Sequence, residues 1–134
     1  TVEGRHLPLE MHMVHKASDG RLAVVAVFMA EGRANAALAP IWANLPANKG
    51  DEVKVAHVQV DVDELMPSTL TTYRYDGSLT TPPCSEGVKW YLMSTLVEVS
   101  PEQVEAFRAV VRNNNRPVQA LNGRAIQTDK VAER

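Results

Sequence analysis

The sequence predicts a mixed but predominantly β fold: a central, largely antiparallel sheet with short helices on its surface. Three observations carry that expectation. Leu7 to His15 alternates in strand-like fashion and is joined through Ser18-Asp19-Gly20 to a short Val-rich run, Leu22 to Ala30. Residues 53–60, 71–75 and 88–98 offer further strand-like stretches. A clear helix start occurs at Ser100 alone, so strands outnumber helices.

Taken in order, the first two segments read as an antiparallel hairpin whose second strand is buried on both faces, because an apolar run of this length is too short for a core helix. Ala36 to Leu45 carries Leu38, Ile41, Trp42 and Leu45 at helical spacing. Pro40 interrupts it and fits only a first turn, so a short helix should begin near Pro40 and close at Pro46. Val53 to Val60 alternates in part and reads as a strand, followed by an acidic turn from Asp61 to Glu64 and by Pro67. Thr71 to Tyr75 and Val88 to Glu98 read as strands flanking a Pro-Pro loop. At Ser100-Pro101-Glu102-Gln103, Ser100 can cap, Pro101 suits the first helical position and Gln103 completes a capping box. Val104, Phe107, Val110 and Val111 form that helix's apolar face, and Asn113-Asn114-Asn115 ends it.

A chain of 134 residues and 14.7 kDa has the length of one ordinary domain, and no repeat, low-complexity tract or linker divides it. With 14 Lys+Arg against 16 Asp+Glu and no basic run, nothing marks it for nucleic acid. The longest apolar run, Leu22 to Ala30, falls short of the ~20 residues a bilayer-spanning helix needs, so no membrane role is expected. A lone cysteine, Cys84, excludes an internal disulfide and a Cys-rich metal site. The chain opens at Thr1 directly ahead of a core strand and reads as a processed or cut piece.

Within Glu10-Met11-His12-Met13-Val14-His15, strand alternation puts Glu10, His12 and Val14 on one face and His15 on the other. A neutral imidazole is the usual zinc ligand, and its second nitrogen needs an acceptor such as a same-face Glu. On these residues alone two readings stand: a metal ligand, or a half-buried sheet histidine. The Pro-Pro loop is equally open, since a rigid turn with locally satisfied Thr hydroxyls would have the same composition.

Together, that strand, the run Ser78-Leu79-Thr80-Thr81-Pro82-Pro83-Cys84-Ser85-Glu86-Gly87-Val88-Lys89-Trp90 and the stretch from Asn114 to Arg124 resemble the third-ligand strand, active-site loop and C-terminal segment of the α-class carbonic anhydrases of bacterial type. The resemblance runs from about residue 2 to residue 126. It implies that residues 1–134 are the C-terminal portion of a single such domain, incomplete on its N-terminal side, and that the activity is zinc-dependent reversible hydration of carbon dioxide. It assigns His12 to Zn2+, Glu10 to the outer nitrogen of a ligand, and Thr80 to orienting the attacking hydroxide, a hydroxyl being able to donate to a carboxylate and accept from the nucleophile. Val14, Val24, Leu79, Val88 and Trp90 become the apolar wall for the small-molecule substrate, with Thr81 at the mouth. It further implies a cis Pro82–Pro83 bond. Cys84 matches a cysteine that bacterial members pair with one near the domain's N-terminus, which would make the protein periplasmic or secreted.

A catalytic zinc takes three protein ligands, and carbonic anhydrase is itself the standard example of the three-His set. His6 lies on the face of His12 but about 20 Å along an extended strand at ~3.3 Å per residue. His15 points away, and His57 has no partner two residues distant. The remaining ligands are therefore expected from residues outside this numbering, or from a second chain that completes the sheet as a homodimer. Three alternatives remain: a zinc-free carbonic anhydrase-related binding module, a fragment inactive by itself, and a β-rich interaction domain without metal or deep pocket.

Overall fold

The computed structural model describes residues 1–48 and 50–129. Its sheet has six strands: β1 (Leu9–Lys16), β2 (Leu22–Glu31), β3 (Thr72–Ser78), β4 (Glu86–Met93), β5 (Val97–Val99) and β6 (Gln127–Asp129), ordered β1-β2-β4-β3-β6 with β5 alongside β2. The β1–β2, β3–β4 and β3–β6 pairings are antiparallel. β2 meets β4 and β5 in parallel, so the sheet is mixed at its centre. Both faces of β2 are covered, Val24, Ala26 and Phe28 packing into one cluster and Met29 into another on the opposite side, which is why its sequence is a continuous apolar run rather than an alternating one.

The expected hairpin forms around Gly20, whose φ of +89° suits a residue without Cβ. Asp19 holds the turn by accepting from the backbone N–H of Arg21 at 3.1 Å and from its Nε at 2.7 Å. A 3₁₀ turn at Ala36–Leu38 leads into a single helical turn, α1 (Ala39–Trp42), with Pro40 in its first turn as anticipated. Helix α2 (Pro101–Val110) carries the capping box, Ser100 Oγ accepting from the Gln103 N–H and Gln103 Oε1 accepting from the Ser100 N–H, both at 3.2 Å. The same Gln103 amide accepts from the Asn35 N–H at 2.8 Å and donates to the Asn35 carbonyl at 2.9 Å, so one side chain caps α2 and fastens the 3₁₀ turn to it.

Two expectations need correction. Residues 53–60 form no strand; Val53, Val55, Val58 and Val60 are exposed and His57 sits at φ +61°. Alternation makes a strand only where a neighbouring strand supplies hydrogen bonds, and among the described residues none does so. The single strand expected over 88–98 is two strands. β2 advances from Ala26 to Met29 while its partner advances from Leu92 to Val97, and the surplus is looped out at Ser94-Thr95-Leu96.

The sheet's two faces bury separate clusters. Val24, Ala26, Phe28, Val88, Trp90 and Leu92 pack together on one, with Tyr73, Tyr75 and Leu79 against them. Met29, Leu38, Leu65, Val99 and Val104 form the other beneath α2.

Candidate active site

Register decides which side chains meet. Glu10 lies opposite Phe28, His12 opposite Ala26 and Val14 opposite Val24, so this face of β1 continues into the Val24–Trp90 cluster. His12 packs its ring edge to face against Trp90, centroids 5.0 Å apart at 83°. Its Nε2 is 3.0 Å from Glu10 Oε1. That is ion-pair distance, but the direction does not meet hydrogen-bond geometry, and Nε2 is a buried nitrogen with no hydrogen bond. A buried ring nitrogen set against a carboxylate fits a histidine whose other nitrogen is reserved for a metal, since such ligands hold their outer N–H on an acceptor. His12 therefore fits one position of a zinc site. Among the described residues no group of three His, Cys, Asp or Glu side chains could hold an ion.

Trp90, only 5% exposed, is itself held on three sides. Its Nε1 donates to the Ser78 carbonyl at 3.0 Å, and its ring stacks on Tyr75 at 6.1 Å and 5°. Gly77 completes the seat: a Cβ there would come within 2.7 Å of Trp90 Cδ1. Burial pushes the Tyr75 phenol above the usual tyrosine range, the Glu10 carboxylate adds to this, and Arg124, over the ring at 5.9 Å, opposes it.

The loop after β3 is fixed by backbone pairs, Leu79 N–H to Ser85 O and Cys84 N–H to Thr81 O, both 2.9 Å. The Pro82–Pro83 bond is cis, which makes Thr81 to Cys84 a type VI turn. Thr80 and Thr81 are exposed, and neither hydroxyl is hydrogen-bonded among the described residues. From the segment after α2, Arg116 Nη1 donates to Ser78 Oγ at 2.7 Å and more distantly to the Leu79 carbonyl at 3.4 Å.

The structure thus gathers Glu10, His12, Val24, Leu79, Val88 and Trp90 around one sheet face. Val14 shares the face but is 60% exposed at the strand's end. His15 points away, its Nδ1 3.1 Å from the Met13 carbonyl, and Cys84 carries a free thiol. Sequence reasoning missed Tyr75 and Gly77; the only signal for Gly77 was a glycine closing a strand ahead of the loop.

One sheet face thus brings together a carboxylate-backed histidine, an aromatic wall and the start of the Thr-Thr-Pro-Pro loop. The profile of the eukaryotic-type carbonic anhydrase family matches residues 1–130, and the chain belongs to that family. Carbonic anhydrases of Pectobacterium carotovorum and Nostoc sp. are 44% and 39% identical to it, each across 93% of this chain and across 51% and 47% of their own lengths. The chain thus spans about half the length of the relatives it matches. Among solved structures, the α-carbonic anhydrase of Thermovibrio ammonificans in complex with the inhibitor sulfanilamide superposes with a TM-score of 0.89 at 44% identity, over 94% of this chain and 56% of that one. Dioscorin complexed with ascorbate gives 0.80 at 32% identity, over 95% and 55%.

Proposed function

We propose that the intact protein catalyses the reversible hydration of carbon dioxide to bicarbonate and a proton, with zinc held in part by His12. The observation that carries this reading is the Glu10–His12–Trp90 arrangement, a ring nitrogen turned onto a carboxylate beside an apolar wall, in a chain of the carbonic anhydrase family. Zinc, when bound, supplies Lewis acidity and lowers the pKa of water to about 7, a value for which carbonic anhydrase is itself the standard case.

The chain's own residues do the rest. With Nε2 lying 3.0 Å from Glu10, Nδ1 is the ring nitrogen left for the metal, and the negative charge of the carboxylate favours the tautomer that carries its proton on Nε2. Leu79, with Val14 and Thr81 towards the mouth, offers uncharged contact suited to a small apolar substrate, and the buried Val24, Val88 and Trp90 back it from the core. The Thr80 hydroxyl would accept a hydrogen bond from the attacking hydroxide while donating its own to a carboxylate, and so direct the nucleophile's lone pair at carbon. In this reading the chain is the C-terminal portion of one domain, and the remaining zinc ligands and that carboxylate come from residues outside this numbering, or from a second copy in a homodimer. Cys84 pairs with a second cysteine in the same intact domain, which places the protein in the periplasm or outside the cell.

The test is zinc stoichiometry and carbon dioxide hydration of the intact protein beside His12→Ala. One zinc per molecule with activity, both lost in the variant, is expected. A zinc-free, inactive wild type would replace this reading with a binding module of the same fold. Intact mass under non-reducing conditions checks the disulfide, and a free Cys84 thiol there removes the support for an extracytoplasmic location.

A further inference from the structure

We propose that Arg116 is a positioning residue for Thr80, acting through Ser78 and the peptide that joins Leu79 to Thr80; the catalytic part of this inference rests on the function proposed above. Thr80 can direct a nucleophile only if its backbone is fixed relative to the sheet, yet it sits on an exposed loop beyond the last residue of β3. Four hydrogen bonds bear on that junction. Trp90 Nε1 holds the Ser78 carbonyl at 3.0 Å, the Ser78 hydroxyl donates to the Leu79 carbonyl at 3.1 Å, and Arg116 Nη1 donates to that hydroxyl at 2.7 Å and towards the same carbonyl at 3.4 Å.

The Leu79 carbonyl and the Thr80 N–H belong to one planar peptide unit, so fixing the first fixes the plane from which Thr80 departs. Ser78 Oγ accepts from Arg116 while donating to Leu79, and an ionised donor strengthens such a chain of hydrogen bonds. Arg21, Arg33, Arg74 and Arg108 each meet a carboxylate and Arg124 meets backbone carbonyls, whereas Arg116 donates to a side-chain hydroxyl, that of Ser78, and towards the Leu79 carbonyl. Arg116 is partly buried and reaches back 38 positions in the chain, coupling the C-terminal segment to the loop.

The test uses the intact protein with Arg116→Met, Arg116→Lys, Ser78→Ala and the Arg116→Met/Ser78→Ala double variant. Arg116→Met should lower kcat about 10- to 100-fold with zinc content and KM little changed, because a small misplacement of an orienting group costs that much. Lysine, a point donor without the planar fork, should recover part of the loss. The double variant should lose no more than the worse single, since both interrupt one path. Independently of activity, the Leu79 and Cys84 amides, which close the loop, should exchange about tenfold faster with solvent while the Val104 amide in α2 keeps its protection. Unchanged kcat together with unchanged loop exchange would overturn the proposal, as would multiplicative losses in the double variant or equal loss of protection at Val104. A wild type that fails to hydrate carbon dioxide would instead sink the functional reading, and loop exchange would still decide whether Arg116 holds the loop.

Discussion

Replacing Gly77 with alanine tests how tightly the candidate site is built. Gly77 has an ordinary negative-φ backbone, so the effect comes from space alone. The new Cβ would stand 2.7 Å from Trp90 Cδ1, 3.0 Å from its Nε1 and 3.3 Å from Tyr75 Cε2. Carbon atoms pack at roughly 3.5–4.0 Å, so the indole must retreat by about 1 Å. It has little room to do so: it is stacked on Tyr75, set against His12, and bonded to Ser78 at 3.0 Å, a distance that such a retreat carries beyond the hydrogen-bond range. Overpacking costs about 1–3 kcal/mol and the lost hydrogen bond about 0.5–1.5 kcal/mol, while alanine regains about 0.4–1 kcal/mol by restricting the unfolded chain. The net expectation is a destabilisation of about 2 kcal/mol, read as a lower urea midpoint at unchanged slope. The Trp90 indole N–H resonance, identified by its loss in Trp90→Phe, should shift, and the His12 ring resonances with it. In a Trp90→Phe background the same substitution should cost clearly less. Full stability with an unmoved indole resonance would refute the packing argument.

Thr80→Ala in the intact protein should keep its zinc and lose about 2–4 kcal/mol of transition-state stabilisation, seen as a fall in kcat; an unchanged rate would remove Thr80 from the mechanism. Ser100→Ala should cost about 1 kcal/mol by unmaking the capping box, measured by chemical denaturation. Tyr75, whose phenol is held above the ordinary value of 10.0 in the folded protein, keeps its proton after the unfolded chain has released it. Its contribution is therefore complete below pH 10 and is lost as pH rises from there through the folded value. Urea midpoints across that alkaline window should fall more gently in Tyr75→Phe than in the parent.

What could be read from the sequence was what depends on neighbours in the chain. The hairpin turn at Asp19-Gly20, the Ser100 capping box and the facing of Glu10 with His12 follow from spacing over a few residues, and each is present. Residues 53–60 show the limit, because alternation says nothing of whether a partner strand lies alongside. β6, three residues held by pairing with β3, has no period to detect. At the site, the loop residues were found through their motif, whereas the seat of Trp90 was not. Gly77 matters because of an indole thirteen positions later on the neighbouring strand, and Arg116 because of a hydroxyl on β3; the first is a fact of register and the second of how a distant segment folds back, and spacing encodes neither.

The parallel contact between β2 and β4 fixes the order in which the site comes into being. Glu10 and His12 lie on a hairpin whose strands are joined by the short turn Ala17–Arg21, a connection that closes in about 1–10 μs. Trp90 reaches Val24 only after a stretch of over sixty residues has been looped back, a closure with a far larger entropic barrier. A lone hairpin is marginal in water. Within this chain the contact that seats the His12 ring against Trp90 and the pairing that joins β2 to β4 therefore depend on one long-range closure, and a substitution that weakens either is expected to loosen both.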